Sequence, residues 1–505
     1  MTRRLTKLLV ANRGEIALRI VRGARLFGLK TVAVYSEADA SGAHLAAADE
    51  ARLIGPAEAS QSYLNIESII AAAKASGADA IHPGYGFLSE RPEFARAVRE
   101  AGMVFVGPTP EVLAALGDKV AARRIAAAAG VAVVPGVESG ELAAARGFAV
   151  QHGYPILVKA AAGGGGRGMR VVDSEAHLEA ALEAAAREAK SAFGDGRVFI
   201  EKYLARPRHV EIQILGDEHG GVVALGEREC SIQRRHQKII EEAPAPGLGD
   251  ATRTKMVDAA VRLARAAHYT NAGTVEFLLD GDQFYFLEVN ARLQVEHPVT
   301  ELRFGCDLVF EQLRIASGGK VSAPPVPRGS AIECRIYAED AEHGFRPATG
   351  RVLHLSIPGG PGVRFDSHLS EGLEVGTFYD GMLGKLICYG TDREQARLRM
   401  VEALGEFAIL GVTNTAAFLR EVVASEPFQR AELSTRFLDE FFSAWHASDD
   451  ATEAAAALIA AALVADGSLG TGSIDAARPI GASGNASARS PWDELKGFEL
   501  WSRAR

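Results

Sequence analysis

The sequence predicts an α/β protein whose first domain contains a doubly wound parallel sheet. Two observations carry this prediction. Short apolar runs alternate with amphipathic stretches near the amino terminus, and the 505 residues exceed a typical domain of roughly 100–200 residues several times over. Apolar residues make up 48% and charged residues 24% of the chain, which excludes a disordered, collagenous or coiled-coil protein. We expect three or four domains.

The opening segment has the pattern of βαβ units, in which short apolar strands flank amphipathic helices. Its first turn, residues 11–15, lacks the glycine fingerprint of dinucleotide-binding folds, so we expect any nucleotide to bind elsewhere. The predicted elements are strands at 8–10, 31–34, 80–82 and 104–106 and a helix at 15–27.

A glycine-dominated loop joins two predicted strands of the second segment, which a helix over 119–129 opens. The strands cover 154–159 and 169–172, and glycines fill most of residues 160–168 between them. Glycine lets backbone N–H groups approach phosphate oxygens closely. Because Lys159 precedes the glycines, the loop differs from a Walker motif. A purely structural turn is the alternative, and the neighbouring lysine favours phosphate binding.

A hairpin over 274–290 is predicted to carry a metal site. Residues 280–282 are expected to form a three-residue loop. An odd loop places Glu276 and Glu288 on one face, and Asn290 joins them through the strand period of two. Few oxygen ligands of this kind suit Mg²⁺ that carries nucleotide phosphates. A solvated strand face is the alternative.

Two polar stretches supply candidate anion-binding groups, one directly after the hairpin and one over residues 227–242. The four glutamates of the second stretch and the net charge of −9 make a nucleic-acid surface improbable. A solvated charged strand is the other alternative. The candidate clamps and bases are Arg292, Gln294, Glu296, His297, Arg228, Arg234, Arg235, His236 and Lys238.

Bulk properties exclude partners that bind through net positive charge. The 55 Lys and Arg residues against 64 Asp and Glu residues leave no field for nucleic acid or anionic lipid, so we expect no nucleic acid and no membrane as partner. The longest apolar run, 454–465, is too short to cross a bilayer. Little sequence precedes the first strand, so we expect no leader and a cytoplasmic protein. Reduced thiols, without zinc or disulfide, are expected at Cys230, Cys306, Cys334 and Cys388.

The carboxyl-terminal part of the chain changes pattern twice. Short strands with Gly/Pro turns over 332–414 predict an α+β cap. After Trp445, a capping-box pattern at 450–453 opens an alanine-rich helix, and residues 468–490 have the composition of a flexible linker. Apolar residues then return, which is typical of the start of another domain.

Taken together, these stretches resemble the biotin carboxylase family of ATP-grasp enzymes. The resemblance runs in order from about residue 7 to residue 440, and many long motifs match. Two departures, Gly381 for a commoner serine and the wording of 301–305, involve no predicted ligand. The matching motifs are residues 11–17, 82–90, 117–119, 159–169, 201–204, 208–213, 233–238, 241–246, 294–300, 333–340 and 379–385.

The resemblance implies a fold of three domains followed by a tail. A pre-ATP-grasp, Rossmann-like domain covers 1–118, and an ATP-grasp domain covers 119–317 with a mobile glycine-rich lid at about 132–204. An α+β biotin carboxylase C-terminal domain covers 318–446. The alanine-rich helix and linker then occupy 447–490, and 491–505 begin a truncated following domain.

The same resemblance implies which residues bind MgATP. The glycines at 165 and 166 close over the phosphates, and the strand at 198–204 presents its backbone to adenine. The implied metal ligands are Glu276, Glu288 and Asn290, with Mn²⁺ as an alternative to Mg²⁺. The implied ATP-binding residues are Lys119, Lys159, Gly165, Gly166, Met169, Glu201, Lys202, Tyr203, Leu204, His209, Gln233, His236, Glu276, Leu278 and Glu288.

The implied reaction carboxylates biotin with bicarbonate and ATP. Glu296 is the implied general base, and carboxyphosphate forms when bicarbonate attacks the γ-phosphoryl group. Arg335 is implied to stabilise the enolate-like ureido oxygen of biotin. Tyr85 lines the biotin approach, unless its glycine-punctuated loop is only structural. The implied catalytic residues are Arg292, Glu296, Arg335 and Lys238, and those that hold bicarbonate are Lys238, Arg292, Gln294, Val295 and Glu296.

The implied partners follow from what the chain lacks. No Met-Lys-Met biotin-attachment signature occurs, so we expect biotin on a carboxyl carrier protein or domain. The tail resembles the connector of acyl-CoA carboxylase α subunits, which predicts a truncated or split α subunit, a carboxyltransferase β subunit as partner, and a homodimer. An ATP-grasp ligase with another acceptor is the first alternative. A catalytically silent assembly subunit is the second.

Overall fold

The first sheet is built from five parallel strands: β1 (Lys7–Val10), β2 (Lys30–Ser36), β3 (Glu50–Gly55), β4 (Ala80–His82) and β5 (Val104–Phe105). The structure, a computed structural model, describes residues 4–161 and 169–447. In this parallel sheet the spatial order is β3-β2-β1-β4-β5, and the order reverses between β1 and β4. The predicted doubly wound class is therefore confirmed.

Helices cover both faces of the parallel sheet, as its strands require. Leu9, Val32 and Ile81 enter one buried apolar cluster, while Leu8 and Val10 enter another. Successive residues of a strand point to opposite faces, so both faces must be covered. The covering helices are α1 (Gly14–Phe27), α2 (Ala43–Ala47), α3 (Ile66–Ser76), α4 (Pro92–Glu100) and α5 (Pro110–Gly117), with short 3₁₀ turns at Glu37–Asp39 and Ala59–Gln61.

The crevice where the strand order reverses is filled by side chains from the second half of the chain. Arg13, just before α1, lies over the Tyr379 ring at 4.3 Å from its centroid. Gly14 has φ 65°, and a Cβ at this position would lie 3.4 Å from Nδ1 of His368. Doubly wound sheets commonly bind ligands in this crevice. Here it is an intramolecular interface.

A small second unit, named here the lid unit and built from residues 136–161 and 169–202, carries the predicted lid strands. Strand β7 (Ile156–Ala160) pairs antiparallel with both β8 (Arg170–Val172) and β9 (Val198–Lys202), which confirms that the glycine-rich segment connects two paired strands. Of the predicted glycine-dominated loop over 160–168, residues 162–168 lie outside the described residues. The elements of this part of the chain are α6 (Lys119–Ala128), β6 (Gly136–Val137), α7 (Leu142–His152), β7 (Ile156–Ala160), β8 (Arg170–Val172), α8 (Glu175–Phe193) and β9 (Val198–Lys202).

An antiparallel sheet, named here the large sheet, organises the rest of the chain. Its strands lie in the order β14 (Gln283–Asn290), β13 (Asn271–Asp280), β10 (Arg208–Gly216), β11 (Val222–Arg234), β12 (Gln237–Ala243), β15 (Ser330–Tyr337), β22 (Met382–Gly390) and β20 (Val363–Ser367). Strand β12 pairs with β15 through Ile240 and Cys334, so this sheet continues across the domain boundary predicted at 317 and 318. The other strands of this part of the chain are β16 (Glu339–Asp340), β17 (Arg346–Pro347), β18 (Gly350–Arg351), β19 (His354–Ser356), β21 (Glu374–Val375) and β23 (Ala408–Leu410).

Helices flank the large sheet, and small two-stranded sheets complete the α+β cap. The small sheets pair β16 with β17, β18 with β21 and β19 with β23. No helix among residues 4–161 and 169–447 is both long and apolar enough to cross a membrane. The helices are α9 (Asp250–Ala266), α10 (His297–Phe304), α11 (Leu308–Ala316), α12 (Arg393–Glu406), α13 (Ala416–Ala424), α14 (Glu426–Gln429) and α15 (Phe437–Phe441). The predictions for the tail beyond residue 447 lie outside the described residues.

The β13–β14 hairpin has a different turn from the predicted one, but it still places Glu276 and Glu288 on the same face. Asp280 pairs directly with Gln283, so the turn has two residues and the predicted three-residue loop is wrong. A two-residue turn alone would place Glu276 opposite residue 287. The register shifts between Glu276 and Phe277, and Leu287 is left without a partner as a β-bulge. The bulge restores the parity, and Glu276 faces Glu288 directly.

Candidate active site

One face of the large sheet carries a connected row of charged and polar side chains, named here the polar ladder. Strands pair side by side, so side chains on the same face of neighbouring strands lie close enough to bond. Most of these groups are buried, which makes each partner energetically important. The members, strand by strand, are Glu288 and Asn290, then Glu276, then His209 and Glu211, then Arg228, then Lys238 and Glu241, and finally Arg335.

The predicted metal ligands lie at one end of the polar ladder. Oε1 of Glu276 accepts hydrogen bonds from Nδ2 of Asn290 at 2.7 Å and Nε2 of Gln294 at 3.2 Å. Glu288, its cross-strand neighbour, lies 3.2 Å from Nζ of Lys119 instead. All three predicted ligands thus share one face, and the alternative of a solvated strand face is wrong for Glu276 and Asn290, which are buried.

The donor set at this end fits a hard divalent cation. Burial by itself raises the pKa of Glu276, but Lys238 and His209 outweigh it and hold that pKa well below its usual value. Nε2 of His209 lies 2.9 Å from Oε2 of Glu276, yet this buried atom makes no hydrogen bond in the described part of the chain. Two carboxylates and an amide oxygen are ligands that suit Mg²⁺ together with phosphate.

Lys238 contacts three carboxylates in and beside the polar ladder. Its Nζ donates to Oε2 of Glu211 at 2.6 Å, Oε1 of Glu276 at 2.7 Å and Oε1 of Glu296 at 2.8 Å. Burial lowers its pKa, and the three carboxylates outweigh that cost and raise the pKa well above the usual value. Lys238 is therefore a permanent cation. Arg228, wholly buried beneath it, neutralises Glu211.

Glu296 is held as an ionised carboxylate. Burial raises its pKa, but Lys238, Arg335 and Arg228 overcome that effect and place the pKa well below the usual value. Its Oε2 accepts a hydrogen bond from Nη2 of Arg335 at 2.9 Å. A buried carboxylate that stays ionised at neutral pH is able to accept a proton from a ligand held beside it.

Arg335 is fixed between two glutamates. Its Nε donates to Oε1 of Glu241 at 2.6 Å, while its Nη2 reaches Glu296 on the other side. Burial raises the pKa of Glu241 to about 7, although Arg335 opposes the shift. Beside it, both carboxylate oxygens of Glu333 are buried and lack hydrogen-bond partners among the described residues.

The predicted anion clamp after the hairpin is assembled as a loop before α10. Nη1 of Arg292 donates to Oε1 of Gln294 at 2.8 Å, and Nη2 donates to Oδ1 of Asn290 at 3.0 Å. Nε of Arg292 bonds Oε2 of Glu90 at 3.0 Å, which anchors the loop on the parallel-sheet domain. Gln294, which Arg292 contacts, donates to the same Oε1 of Glu276 as Lys238 does. The guanidinium of Arg292 and the ammonium of Lys238 therefore lie in one region of the site.

The predicted phosphate-binding lysines lie where the lid unit meets the polar ladder. Nζ of Lys159 donates to Oε2 of Glu201 at 2.9 Å. Burial lowers the pKa of His236, and nearby Lys159, His209 and Lys119 lower it further. Lys119 and Lys159 therefore both lie near His236, and a pair of lysines in one region suits a polyphosphate.

The remaining predicted ATP-binding residues make fewer contacts with the polar ladder. Gln233 bonds Nδ1 of His209 at 2.7 Å, and Leu278 is the cross-strand neighbour of His209. The glycines 165 and 166 lie outside the described residues. Met169, Tyr203 and Leu204 are half-buried next to β8 and β9, and Lys202 is exposed.

Tyr85 and several charged residues connect the site to its surroundings. The Tyr85 hydroxyl donates to Oε1 of Glu15 at the start of α1. Three charged partners in the site, Glu211, Glu241 and Arg123, are not among the predicted site residues, and Arg123 bonds Glu201. Glu211 carries a detectable signal, because His209, Glu211 and Gln213 alternate along β10. The others have no comparable pattern.

Three family models match the chain in succession. The model "Biotin carboxylase, N-terminal domain" matches residues 4–113. The model "Carbamoyl-phosphate synthase L chain, ATP binding domain" matches residues 118–323. The model "Biotin carboxylase C-terminal domain" matches residues 333–440.

Curated relatives match over most of their length. The biotin carboxylase of Nostoc sp. is 50% identical over 440 residues, which is 86% of this chain and 98% of that protein. The biotin carboxylase of Haemophilus influenzae is 50% identical over 442 residues, with the same shares. The human mitochondrial propionyl-CoA carboxylase alpha chain is 47% identical over 449 residues, which cover 86% of this chain and 61% of that one.

Solved structures agree in fold and sequence. A biotin carboxylase from Campylobacter jejuni in complex with βγ-ATP has a TM-score of 0.84 and 44% identity, covering 86% of this chain and 99% of its own. The biotin carboxylase domain dimer of Hydrogenobacter thermophilus 2-oxoglutarate carboxylase, in complex with MgADP, ADP and bicarbonate, has a TM-score of 0.83 and 42% identity. That match covers 86% of this chain and 97% of that domain.

Proposed function

The chain belongs to the biotin carboxylase family of ATP-grasp enzymes, and from that premise we propose that the polar ladder is its active site. The enzyme uses ATP and Mg²⁺ to carboxylate biotin with bicarbonate, the first half-reaction of a biotin-dependent carboxylase. The observation that carries the assignment of the site is the arrangement of Lys238, Glu296 and Arg335. It joins a permanent cation, an ionised carboxylate and a guanidinium in one buried cluster.

The nucleotide is assigned to the junction of the lid unit and the large sheet. Lys119, Lys159 and His236 would meet the phosphates, and the backbone after β9 would face adenine. Mg²⁺, or Mn²⁺ in its place, would be held by Glu276, Glu288 and Asn290 and would offset phosphate charge. Glu201 and Glu288 now pair with these lysines, so the cations are already oriented when the nucleotide arrives.

Bicarbonate is assigned to the space between Lys238 and the Arg292 loop. A small planar anion suits the guanidinium fork of Arg292, with Gln294 and the backbone of Val295 beside it. Glu296, held ionised by Lys238 and Arg335, accepts the bicarbonate proton. The freed oxygen attacks the γ-phosphoryl group of ATP, ADP leaves, and carboxyphosphate forms.

The second stage transfers the carboxyl group to biotin. Carboxyphosphate breaks into CO₂ and phosphate, the phosphate takes the proton from N1 of biotin, and N1 attacks CO₂. Arg335 stabilises the negative ureido oxygen that develops in this step. Because Glu241 and Glu296 fix the guanidinium from both sides, its position is set before biotin arrives. Tyr85 would line the approach.

The partners are proposed from the relatives. A biotin carboxyl carrier protein or domain would deliver biotin, and a carboxyltransferase β subunit would use the product. The alpha chains of propionyl-CoA and methylcrotonoyl-CoA carboxylases support an acyl-CoA acceptor, and the dimer of the Hydrogenobacter domain supports a homodimer. The cytoplasm is the proposed compartment, which agrees with four free cysteines.

The test is ADP release by the purified chain with Mg²⁺ and bicarbonate, measured with and without free biotin. We expect release that depends on bicarbonate and rises with biotin. Robust MgATP binding without bicarbonate dependence would instead support an ATP-grasp ligase with another acceptor. Failure to bind MgATP at all would support a catalytically silent subunit.

A further inference from the structure

Lys385 on β22 is a wholly buried lysine to which the reaction described above assigns no part. Its side chain is 0% exposed. Lysine is almost never fully buried without a partner, because an ammonium group loses its hydration there. The partners of this ammonium therefore indicate what it does.

The ammonium group joins three distant parts of the chain. Its Nζ donates to the carbonyl oxygen of Val295 at 2.7 Å. It lies 3.4 Å from Oε1 of Glu15 at the start of α1, and 6.0 Å from the centroid of the Tyr85 ring. Lys385 thus links the large sheet to the Arg292 loop and to the loop proposed to line the biotin approach.

The bond to Val295 acts on the proposed base. The carbonyl of Val295 belongs to the peptide group that continues into Glu296. A hydrogen bond to that carbonyl therefore fixes the backbone from which the Glu296 side chain leaves. A second anchor lies beside it, since Nδ1 of His297 donates to the carbonyl oxygen of Gln294 at 2.8 Å.

A carboxylate lies near the Lys385 ammonium while the ammonium keeps its hydrogen bond to the Val295 carbonyl. Glu15 supplies the nearest carboxylate, and Tyr85 donates its hydroxyl proton to the same Oε1. Burial raises the pKa of Glu15 to about 7, although Lys385 and Arg364 oppose the shift. Lys385 consequently contacts the backbone as a donor while its counter-ion lies on the opposite domain.

We infer that Lys385 is a positioning residue, which fixes the Val295–Glu296 peptide and thereby aims the Glu296 carboxylate at bicarbonate. This inference rests on the proposed role of Glu296. Lys385 does not touch bicarbonate or ATP in this scheme. Its removal displaces the base while the nucleotide end of the polar ladder keeps its contacts.

The experiment compares Lys385→Met with the double variant Lys385→Met/Glu15→Gln. The double variant removes the nearest carboxylate together with the lysine, so Glu15 is not left as an unpaired buried charge. Arg393→Met is the matched control, because it removes a cation paired with buried Glu242 far from the Arg292 loop. Steady-state kinetics give KM for bicarbonate and MgATP separately, and hydrogen exchange reports residues 292–297 directly.

We expect kcat/KM for bicarbonate to fall on the order of 100-fold in both Lys385 variants, because a displacement of about 1 Å at a catalytic group has that effect. KM for MgATP should stay unchanged, and exchange should accelerate in 292–297 but not in β13. The inference is overturned if the folded double variant has normal bicarbonate kinetics and normal exchange, or if Arg393→Met produces the same losses. If the unaltered enzyme lacks bicarbonate dependence, the proposed function fails, and the exchange of 292–297 still decides whether Lys385 fixes the loop.

Discussion

The two ends of the polar ladder, each taken with the residues that contact it, differ in how many carboxylates surround each cation. At the nucleotide end, Lys119 and Lys159 each contact one carboxylate among the described residues, Glu288 and Glu201 respectively. At the bicarbonate end, defined by Lys238, Glu296, Arg335 and Glu241, Lys238 contacts three carboxylates and Arg335 contacts two.

This difference predicts that the nucleotide end mainly affects ATP affinity and the bicarbonate end mainly affects turnover. A lysine with a single carboxylate keeps donors free for incoming phosphates, so its removal should weaken ATP binding. A cation surrounded by carboxylates has its position fixed in advance. Changes at the bicarbonate end should therefore lower turnover more than affinity.

The largest expected effect comes from Glu296→Gln. The amide keeps the shape of the side chain but accepts no proton, so bicarbonate-dependent ATP cleavage should fall about 10³-fold. ATP affinity, measured by titration calorimetry, should stay unchanged. Glu242→Gln is the control, because Glu242 is equally buried but pairs with Arg393 instead of the ladder. Full activity of Glu296→Gln would remove Glu296 as the base.

The next effect tests the nucleotide end. Lys159→Gln should weaken ATP binding by about 10- to 100-fold, the range expected for a lost hydrogen bond between charged groups. The fold should survive, because Arg123 still pairs with Glu201. Lys190→Gln, an exposed lysine on α8, provides the control. Unchanged ATP affinity in Lys159→Gln would show that the lid unit does not bind the phosphates through this residue.

A smaller effect is expected at the predicted metal ligand Glu288. Glu288→Gln removes one anionic ligand, so the Mg²⁺ concentration for half-maximal activity should rise about tenfold. The rate at saturating Mg²⁺ should recover most of its value. Asp282→Asn alters an exposed carboxylate in the turn of the same hairpin and should leave the Mg²⁺ requirement unchanged. Equal Mg²⁺ curves for all three proteins would contradict the metal site.

The smallest effect is a pH dependence at the bicarbonate end. The pKa values of Lys238 and Glu296 lie far above and far below neutrality, so neither group titrates near pH 7. Burial raises the pKa of Glu241 to about 7, so this carboxyl takes up a proton as pH falls through that value. The protonated carboxyl no longer forms an ion pair with Arg335, so the guanidinium is held less firmly. We therefore expect kcat to fall a few-fold below about pH 7.

Several charged groups surround Glu241, so the acidic limb of the kcat–pH profile is tested with a variant of Glu241 itself. Arg335, Glu296, Lys238 and Glu333 all contribute to its electrostatic surroundings. Glu241→Gln should have a lower kcat at high pH and a flatter acidic limb, because the titrating group is gone. A limb that is identical in this variant and in the unaltered enzyme would assign it to another group.

The β13–β14 hairpin shows how far sequence reasoning reached. Alternation placed Glu276, Glu288 and Asn290 on one face, and the structure agrees. The reason differed, because the turn has two residues and the bulge at Leu287 restores the parity. A bulge leaves little local signal, whereas alternation reflects the strict period of a strand.

Local pattern and shared motifs by themselves determined the α/β class, the doubly wound first sheet, the family and the chemical types of the site residues. The tertiary structure decided the pairings. Arg335 and Glu241 are 94 residues apart in the sequence, and Lys385 and Val295 are 90 apart. Such contacts depend on which strands become neighbours in the large sheet, and a period of two states the face of a residue but not its cross-strand partner.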